Sequence, residues 1–154
     1  VSRVQAHLRV PRSTLGAFEE AGWSDGGPGD GLVFWTDPEV GEDWEAVQAE
    51  LMEAFRLTQA AARASAPVVY VVRQADLLGQ RGAGPAMAAC GLLSAARTAA
   101  IEGLRSGGTV NVLAVDEDTP PQLVAAWALR LCQPDAPTGE LVRLGPSHLG
   151  KALP

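Results

Sequence analysis

Two rhythms of apolar and polar positions run through this chain. Runs with the apolar, β-branched composition of strands recur at Leu32–Trp35, Val68–Val72, Thr109–Val115 and Glu140–Leu144, with Gly, Pro or Asp breaking the chain around them. Val68–Val72 is apolar at nearly every position, the mark of a strand covered on both faces. Val4–Val10 alternates more weakly and is predicted as a further strand that Pro11 ends. Between these runs the period lengthens to that of a helix. Trp44, Val47, Leu51, Phe55 and Thr58 follow spacings of three and four, which predicts a long helix over Gly41–Ser65. A second long helix, Pro85–Arg105, is crowded with Ala, Gly and Ser, and Gly107-Gly108 stop it. Shorter helices are expected from Ser13 to about Ala21 and, from the capping-box spacing of Thr119-Pro120-Pro121-Gln122, to about Cys132. Gly22–Gly31 reads as a loop and the tail beyond Pro146 as peripheral. Strands alternating with helices predict one α/β domain over residues 1–154 with a mostly parallel sheet.

Composition narrows the function. With 47% apolar and 19% charged residues, the 154-residue chain has the make-up of an ordinary globule. Its formal charge of −6 argues against a nucleic-acid or anionic-membrane surface. No apolar run reaches 18 residues and no secretory pattern opens the chain, so a cytoplasmic location is expected. Cys90 and Cys132 are too few for a disulfide framework, and no Cys/His cluster has zinc spacing. Rare residues constrain it further: there is one Lys (Lys151), one Tyr (Tyr70), one Asn (Asn111) and two His (His7, His148).

Three stretches carry a family resemblance. They are Asp43-Trp44 through Phe55-Arg56-Leu57-Thr58-Gln59-Ala60; Cys90-Gly91-Leu92-Leu93 through Glu102 with Thr109-Val110-Asn111-Val112-Leu113-Ala114; and Thr138-Gly139-Glu140-Leu141-Val142. In that order they resemble the fourth helix, the catalytic helix with the sixth strand, and the closing strand of a short-chain dehydrogenase/reductase (SDR), nearest the β-ketoacyl-carrier-protein reductase type. The resemblance implies a truncated, Rossmann-like, mostly parallel sheet that lacks the N-terminal dinucleotide-binding βαβ unit, the chain beginning near the family's third strand.

The departures from that family decide the functional expectation. SDR enzymes hold a dinucleotide on a Gly-rich turn between the first strand and helix. Gly26-Gly27-Pro28-Gly29-Asp30-Gly31 precedes a strand instead, and its Pro removes a donor. Where the family has a catalytic Tyr and a Lys four residues on, this chain has Pro85 and Ala89; the Ser falls near Val72 or Arg73 and the helix Asn on Glu50. Tyr70 has Gln74 four residues on, Lys151 lies in the tail and Asn111 in a strand, so no realignment restores the set. Neither a cofactor nor independent oxidoreductase activity is expected.

Polar residues at the vacated positions have functional and plain readings. Glu50, Arg73 and Asp116, with Trp35, are candidates to line a remnant pocket at the C-terminal ends of the strands. The plainer expectations are a solvated Glu50 on an acidic helix with Glu45 and Glu53, and an Arg73 ion pair with Asp76 or Glu50. Cys90, flanked by small residues, is expected to be buried packing. His7 and His148 receive no role, and the tryptophans read as core or interface aromatics.

Loss of the front of the fold implies incompleteness. One face of Val68–Val72 is expected to lack cover, and the sheet either keeps an open edge or pairs the N-terminal strand directly beside Leu32–Trp35. SDR proteins pair their fourth and fifth helices across a two-fold, and the corresponding helices are the best-kept parts here. Trp44, Phe55, Met87, Gly91, Ser94 and Thr98 are therefore the candidate interface. The expectation is a non-catalytic subunit that forms a homodimer, a homotetramer or a hetero-oligomer with a full-length SDR, with no nucleic-acid or membrane partner. The alternative is a cofactor-independent enzyme, or a protein that binds an acyl or polyketide intermediate, using the remnant pocket.

Overall fold

A computed structural model describes residues 3–145. Six strands, β1 (Val4–Arg9), β2 (Trp23–Asp25), β3 (Leu32–Trp35), β4 (Val68–Arg73), β5 (Val110–Val115) and β6 (Leu141–Leu144), form one sheet in the order β2-β1-β3-β4-β5-β6. Every pairing is parallel. The helices are α1 (Leu15–Glu20), α2 (Trp44–Arg63), α3 (Gln74–Leu77), α4 (Ala83–Gly103) and α5 (Pro121–Leu131). The expected α/β, Rossmann-like parallel sheet is therefore what the chain adopts.

Alternate side chains of the central strands feed two separate cores. Leu32, Phe34, Val68, Tyr70, Val72, Val110 and Val112 pack under α2 and α4, meeting Ala54, Ala61, Leu92 and Ala96. Val33, Val69, Val71, Leu113 and Val115 face the other way, against Phe18 of α1, Trp23 of β2, and Val124, Ala125 and Ala128 of α5. Trp23 buries its ring there, and its indole N–H donates to the Ala125 carbonyl at 3.0 Å.

The second core corrects the expectation of an uncovered sheet face, because α1 and α5 close it and leave Val69, Val71 and Leu113 fully buried. The N-terminal expectation is also refined. The chain does not start at an edge position: β1 pairs with both β2 and β3, so Val4–Asp25 forms a short β1–α1–β2 unit whose β2 is an edge strand of the sheet. The turn after β1, Val10–Thr14, contains no glycine and is a 3-10 turn over Arg12–Thr14. Aligned at the switch point with the order 3-2-1-4-5-6 of a doubly wound sheet, this sheet has one strand fewer on the β1 side and one more on the β3 side.

Several boundaries shift for local reasons. Asp43 caps α2 by accepting from the Glu45 N–H at 3.2 Å, so the helix starts there and not at Gly41. Helix α4 begins at Ala83, before Pro85, which a first helical turn tolerates. Thr119 does not cap α5. Its hydroxyl accepts from the Asp116 N–H at 3.0 Å and donates to the Leu144 carbonyl at 3.1 Å, tying the end of β5 to the end of β6.

Candidate functional site

Strand order reverses direction between β1 and β3, and in open α/β sheets ligands bind outside the carboxyl ends of the strands at such a point. Arg9 is the last residue of β1 and Trp35 the last of β3, so both stand at that crevice. Glu50 reaches it from α2. The Arg9 guanidinium and the Glu50 carboxylate meet as a two-pronged pair, Nη1 to Oε1 at 2.7 Å and Nη2 to Oε2 at 2.6 Å. Arg9 Nη1 also donates to the Trp35 carbonyl at 2.7 Å, and its guanidinium stacks 4.4 Å from the Phe34 ring centroid. Oε1 of Glu50 accepts a further bond from the Asp37 N–H at 2.9 Å.

Burial by itself would lower the Arg9 pKa. Hydrogen bonding to Glu50 and its charge, with smaller contributions from Glu53 and Asp37, outweigh burial and raise it. Glu50, only 5% exposed, is thus a locked structural carboxylate and not the solvated one its acidic helix suggested. A general base needs a lone pair aimed at a substrate proton, and both oxygens of Glu50 are committed to the chain's own donors.

A second set of contacts closes the loop that follows β3. Arg81 bridges both oxygens of Asp76 at 3.1 Å and donates to the Pro38 carbonyl at 3.3 Å. The Gly84 N–H donates to Glu42 at 3.1 Å. Gly84 also lets α4 press on this loop, since a Cβ there would stand 2.0 Å from the Gly41 carbonyl oxygen.

The remaining candidates are at neighbouring strand ends but do not converge with Glu50 on shared partners. Arg73 pairs in register with Val115, one residue before Asp116. Asp116 meets Arg143 at 3.4 Å. The expected ion pair of Arg73 with Asp76 or Glu50 does not form, because Arg81 and Arg9 hold those carboxylates, and the Arg73 side chain makes no hydrogen bond or ion pair among the described residues. Cys90 is exposed and not buried packing, because its position on α4 falls on the outward stripe with Ala83, Met87 and Ser94. Burial pushes the Cys132 thiol up to about 12, which keeps it protonated and unreactive. His7 on β1 shows nothing that gives it a role, and His148 and Lys151 lie outside the described residues.

The residues present do not fit a dinucleotide. The turn after β1 offers no glycine for close approach of a pyrophosphate. Helix α1, six residues long, is too short for an N-terminal anion site, and the crevice beyond it holds the Glu50 carboxylate. Among the described residues, no group of three or more His, Cys, Asp or Glu is placed to hold a metal, and no helix is long and apolar enough to cross a membrane.

A different surface is bare. Trp44 and Phe55 share one face of α2 and are 57% and 58% exposed. Met87, Gly91, Ser94 and Thr98 share one face of α4, with Met87 45% exposed and Gly91 pressed against Leu51. Where the two helices part beyond that contact, a groove of about 770 Å³ lies between them. Its floor is Val68, Tyr70 and Val110, and its walls include Phe55, Ala62, Ala95 and Ala99. At the floor the Thr58 and Tyr70 hydroxyls hydrogen-bond to each other, and burial, partly offset by that bond, raises the Tyr70 pKa.

No protein-family model matches the sequence, and no curated protein matches it. Solved structures do match the fold. A short chain dehydrogenase from Mycobacterium avium aligns with a TM-score of 0.60 at 18% identity, over 73% of this chain and 51% of that one. A citronellol catabolism dehydrogenase from Pseudomonas aeruginosa aligns at 0.57 and 21% identity, over 74% and 60%. The apo glucose dehydrogenase of Caenorhabditis elegans aligns at 0.53 and 14%, over 73% and 61%. The matched region spans about half to three-fifths of each of these chains. At such identities the likeness is one of fold: the chain has a Rossmann-like fold of the short-chain dehydrogenase kind.

Proposed function

We propose that this chain is a non-catalytic SDR-like subunit of the cytoplasm, which assembles through α2 and α4 with itself or with a full-length SDR and stabilises or modulates that partner. The observation that carries the reading is a contrast. At the switch point, where such folds bind ligands, Glu50 and Arg9 are spent on each other. On α2 and α4, large apolar side chains stand in solvent. Interfaces are enriched in Trp, Phe and Met, and a helix face meant for water carries charge. Helix α4 has only Arg97 and Glu102 as charges in 21 residues. Trp44, Phe55, Met87, Gly91, Ser94 and Thr98 are the proposed contact residues, and no cofactor takes part.

Light scattering coupled to size exclusion, on the chain alone and mixed with a full-length SDR from the same source, tests the reading. An assembly larger than the 16.0 kDa chain in either sample is expected. A monomer in both would overturn it.

One observation favours the alternative, an acyl- or polyketide-intermediate-binding protein or a cofactor-independent enzyme. Arg73, a half-buried residue at a strand end, makes no side-chain hydrogen bond or ion pair among the described residues. Saturable binding of a carboxylated or phosphopantetheine-linked acyl ligand that Arg73→Ala abolishes is the result that reading requires.

A further inference from the structure

Beyond the assembly reading, and without resting on it, we propose that the groove between α2 and α4 binds a small, elongated, uncharged ligand. The ligand carries one acceptor oxygen, as a ketone, ester or ether on an alkyl chain does, and the Thr58/Tyr70 hydroxyl pair holds that oxygen. The groove lies at the amino ends of the strands, since its floor includes Val68, the first residue of β4, and Val110, the first of β5. It is therefore at the opposite end of the sheet from the Arg9–Glu50 crevice. Its volume of about 770 Å³ falls within the ~300–1,000 Å³ of small-molecule sites. Along α2 its lining extends from Leu51 to Ala62, about 16 Å of helix, which suits an elongated occupant.

The floor carries a donor that the chain does not use. Two hydroxyls carry two hydrogens, and the bond between Thr58 and Tyr70 takes up one of them. Neither hydroxyl makes another hydrogen bond among the described residues, so one O–H is left without an acceptor. Tyr70 is 1% exposed and Thr58 9%, and a polar hydrogen buried without a partner is costly. An acceptor oxygen over the pair meets that hydrogen, while the attached alkyl chain covers Val68, Val110, Ala95 and Ala99. Charge then selects against ions. The C-terminal ends of α2 and α4 border the groove at Ser65 and Gly103, and helix C-termini repel an anion. Glu102 adds to that repulsion and is the one charged residue in the lining. Elsewhere on α2, Glu50 is paired with Arg9, while Glu45, Glu53 and Arg56 line a separate depression. Arg63 at the end of α2 and Arg97 on α4 do not line the groove. A carboxylate is thus disfavoured, and an ammonium has no lone pair with which to accept from the hydroxyl.

The test titrates the full chain with Nile red, an uncharged dye with a carbonyl, and displaces the dye with methyl nonyl ketone, undecane or undecanoate. It is run at chain concentrations below and above any self-association. Saturable dye fluorescence is expected, with the ketone displacing the dye at about a tenfold lower concentration than undecane, the advantage of one hydrogen bond, and undecanoate displacing it least. Thr58→Val/Tyr70→Phe removes both hydroxyls and strands neither, so it is expected to weaken the dye and to make ketone and undecane equal. Ala95→Phe fills the groove from an exposed position on α4 and is expected to abolish dye binding without changing the melting temperature. Equal displacement by ketone and undecane in the unaltered chain overturns the acceptor site. No saturable binding, or binding indifferent to Ala95→Phe, overturns the groove as a ligand site. Dye bound by the monomer but lost on assembly means that another chain occupies the groove, which also overturns the inference. A chain that stays monomeric, alone and with a full-length SDR, yet binds the ketone as described overturns the assembly reading and leaves this one standing.

Discussion

The switch-point crevice and the α2/α4 face belong to the same fold, yet their side chains are used in opposite ways. At the crevice, groups from β1, β3 and α2 converge so closely that the Glu50 oxygens accept three bonds and Arg9 stacks on Phe34. At the α2/α4 face, Trp44, Phe55 and Met87 leave about half of their surface uncovered. The crevice of a ligand-binding fold normally keeps polar groups free, and a solvent face normally keeps large apolar groups covered. Here both habits are reversed. On the proposed reading, the polar pair is part of the scaffold and the contact surface lies on the helices.

The sharpest way to break the comparison is to unpair the crevice. Arg9→Ala leaves a buried carboxylate, and Glu50→Ala strands the guanidinium, so each is expected to lose about 3–5 kcal/mol in denaturant unfolding. The double variant Arg9→Met/Glu50→Leu removes both charges and is expected to recover most of that loss. If the single variants cost less than about 1 kcal/mol, the pair is a surface contact and the contrast collapses.

Next in size is Gly84→Ala, where the added methyl meets the Gly41 backbone and cannot displace it cheaply. A loss of about 1–3 kcal/mol is expected by thermal melting. Gly91→Ala meets only the flexible end of Leu51, and a gain in helix propensity offsets the crowding, so it is expected to be nearly neutral.

Alkaline titration probes the interior beneath both regions. The folded-state pKa values of Cys132 and Tyr70 are raised, so unfolding releases protons once the unfolded groups begin to ionise. The stability held by the neutral Cys132 is complete below about pH 9 and is lost as the pH climbs towards about 12. That of Tyr70 is complete below its ordinary value of 10.0 and is lost above it. Unfolding free energy should fall with a slope of up to about 1.4 kcal/mol per pH unit for each group. Cys132→Ala should flatten the profile between pH 9 and 10, as urea titrations across that range will reveal.

The smallest stability effect belongs to the bare face. Trp44→Gln and Met87→Gln are expected to leave the unfolding free energy of the monomer within about 0.5 kcal/mol, because each side chain keeps about half of its surface in solvent. Their effect should appear in association instead, as a rise in the dimer dissociation constant measured by sedimentation.

Much of the scaffold is legible in the amino-acid sequence, and the reasons are local. Helices α2 and α4 and strands β4 and β5 are long, strongly patterned elements whose burial reflects their own periodicity. Strand β2 and helix α3, three and four residues long, are too short to carry a period. The crevice was only half legible. Glu50 is marked by its place on α2, but Arg9, 41 residues away, becomes its partner only when β1 joins the sheet beside β3. The one local sign is a charged residue set between Leu8 and Val10 at the end of a strand. Thr119 teaches the converse: its capping-box spacing was genuine, but Leu144 and Asp116 claim its hydroxyl.

The claim that the crevice belongs to the scaffold is tested most directly by isothermal titration of the purified chain with NADPH at low salt. The account predicts no saturable heat up to millimolar nucleotide. Saturable binding in the micromolar range, weakened by substitutions in the Val10–Thr14 turn, would contradict it.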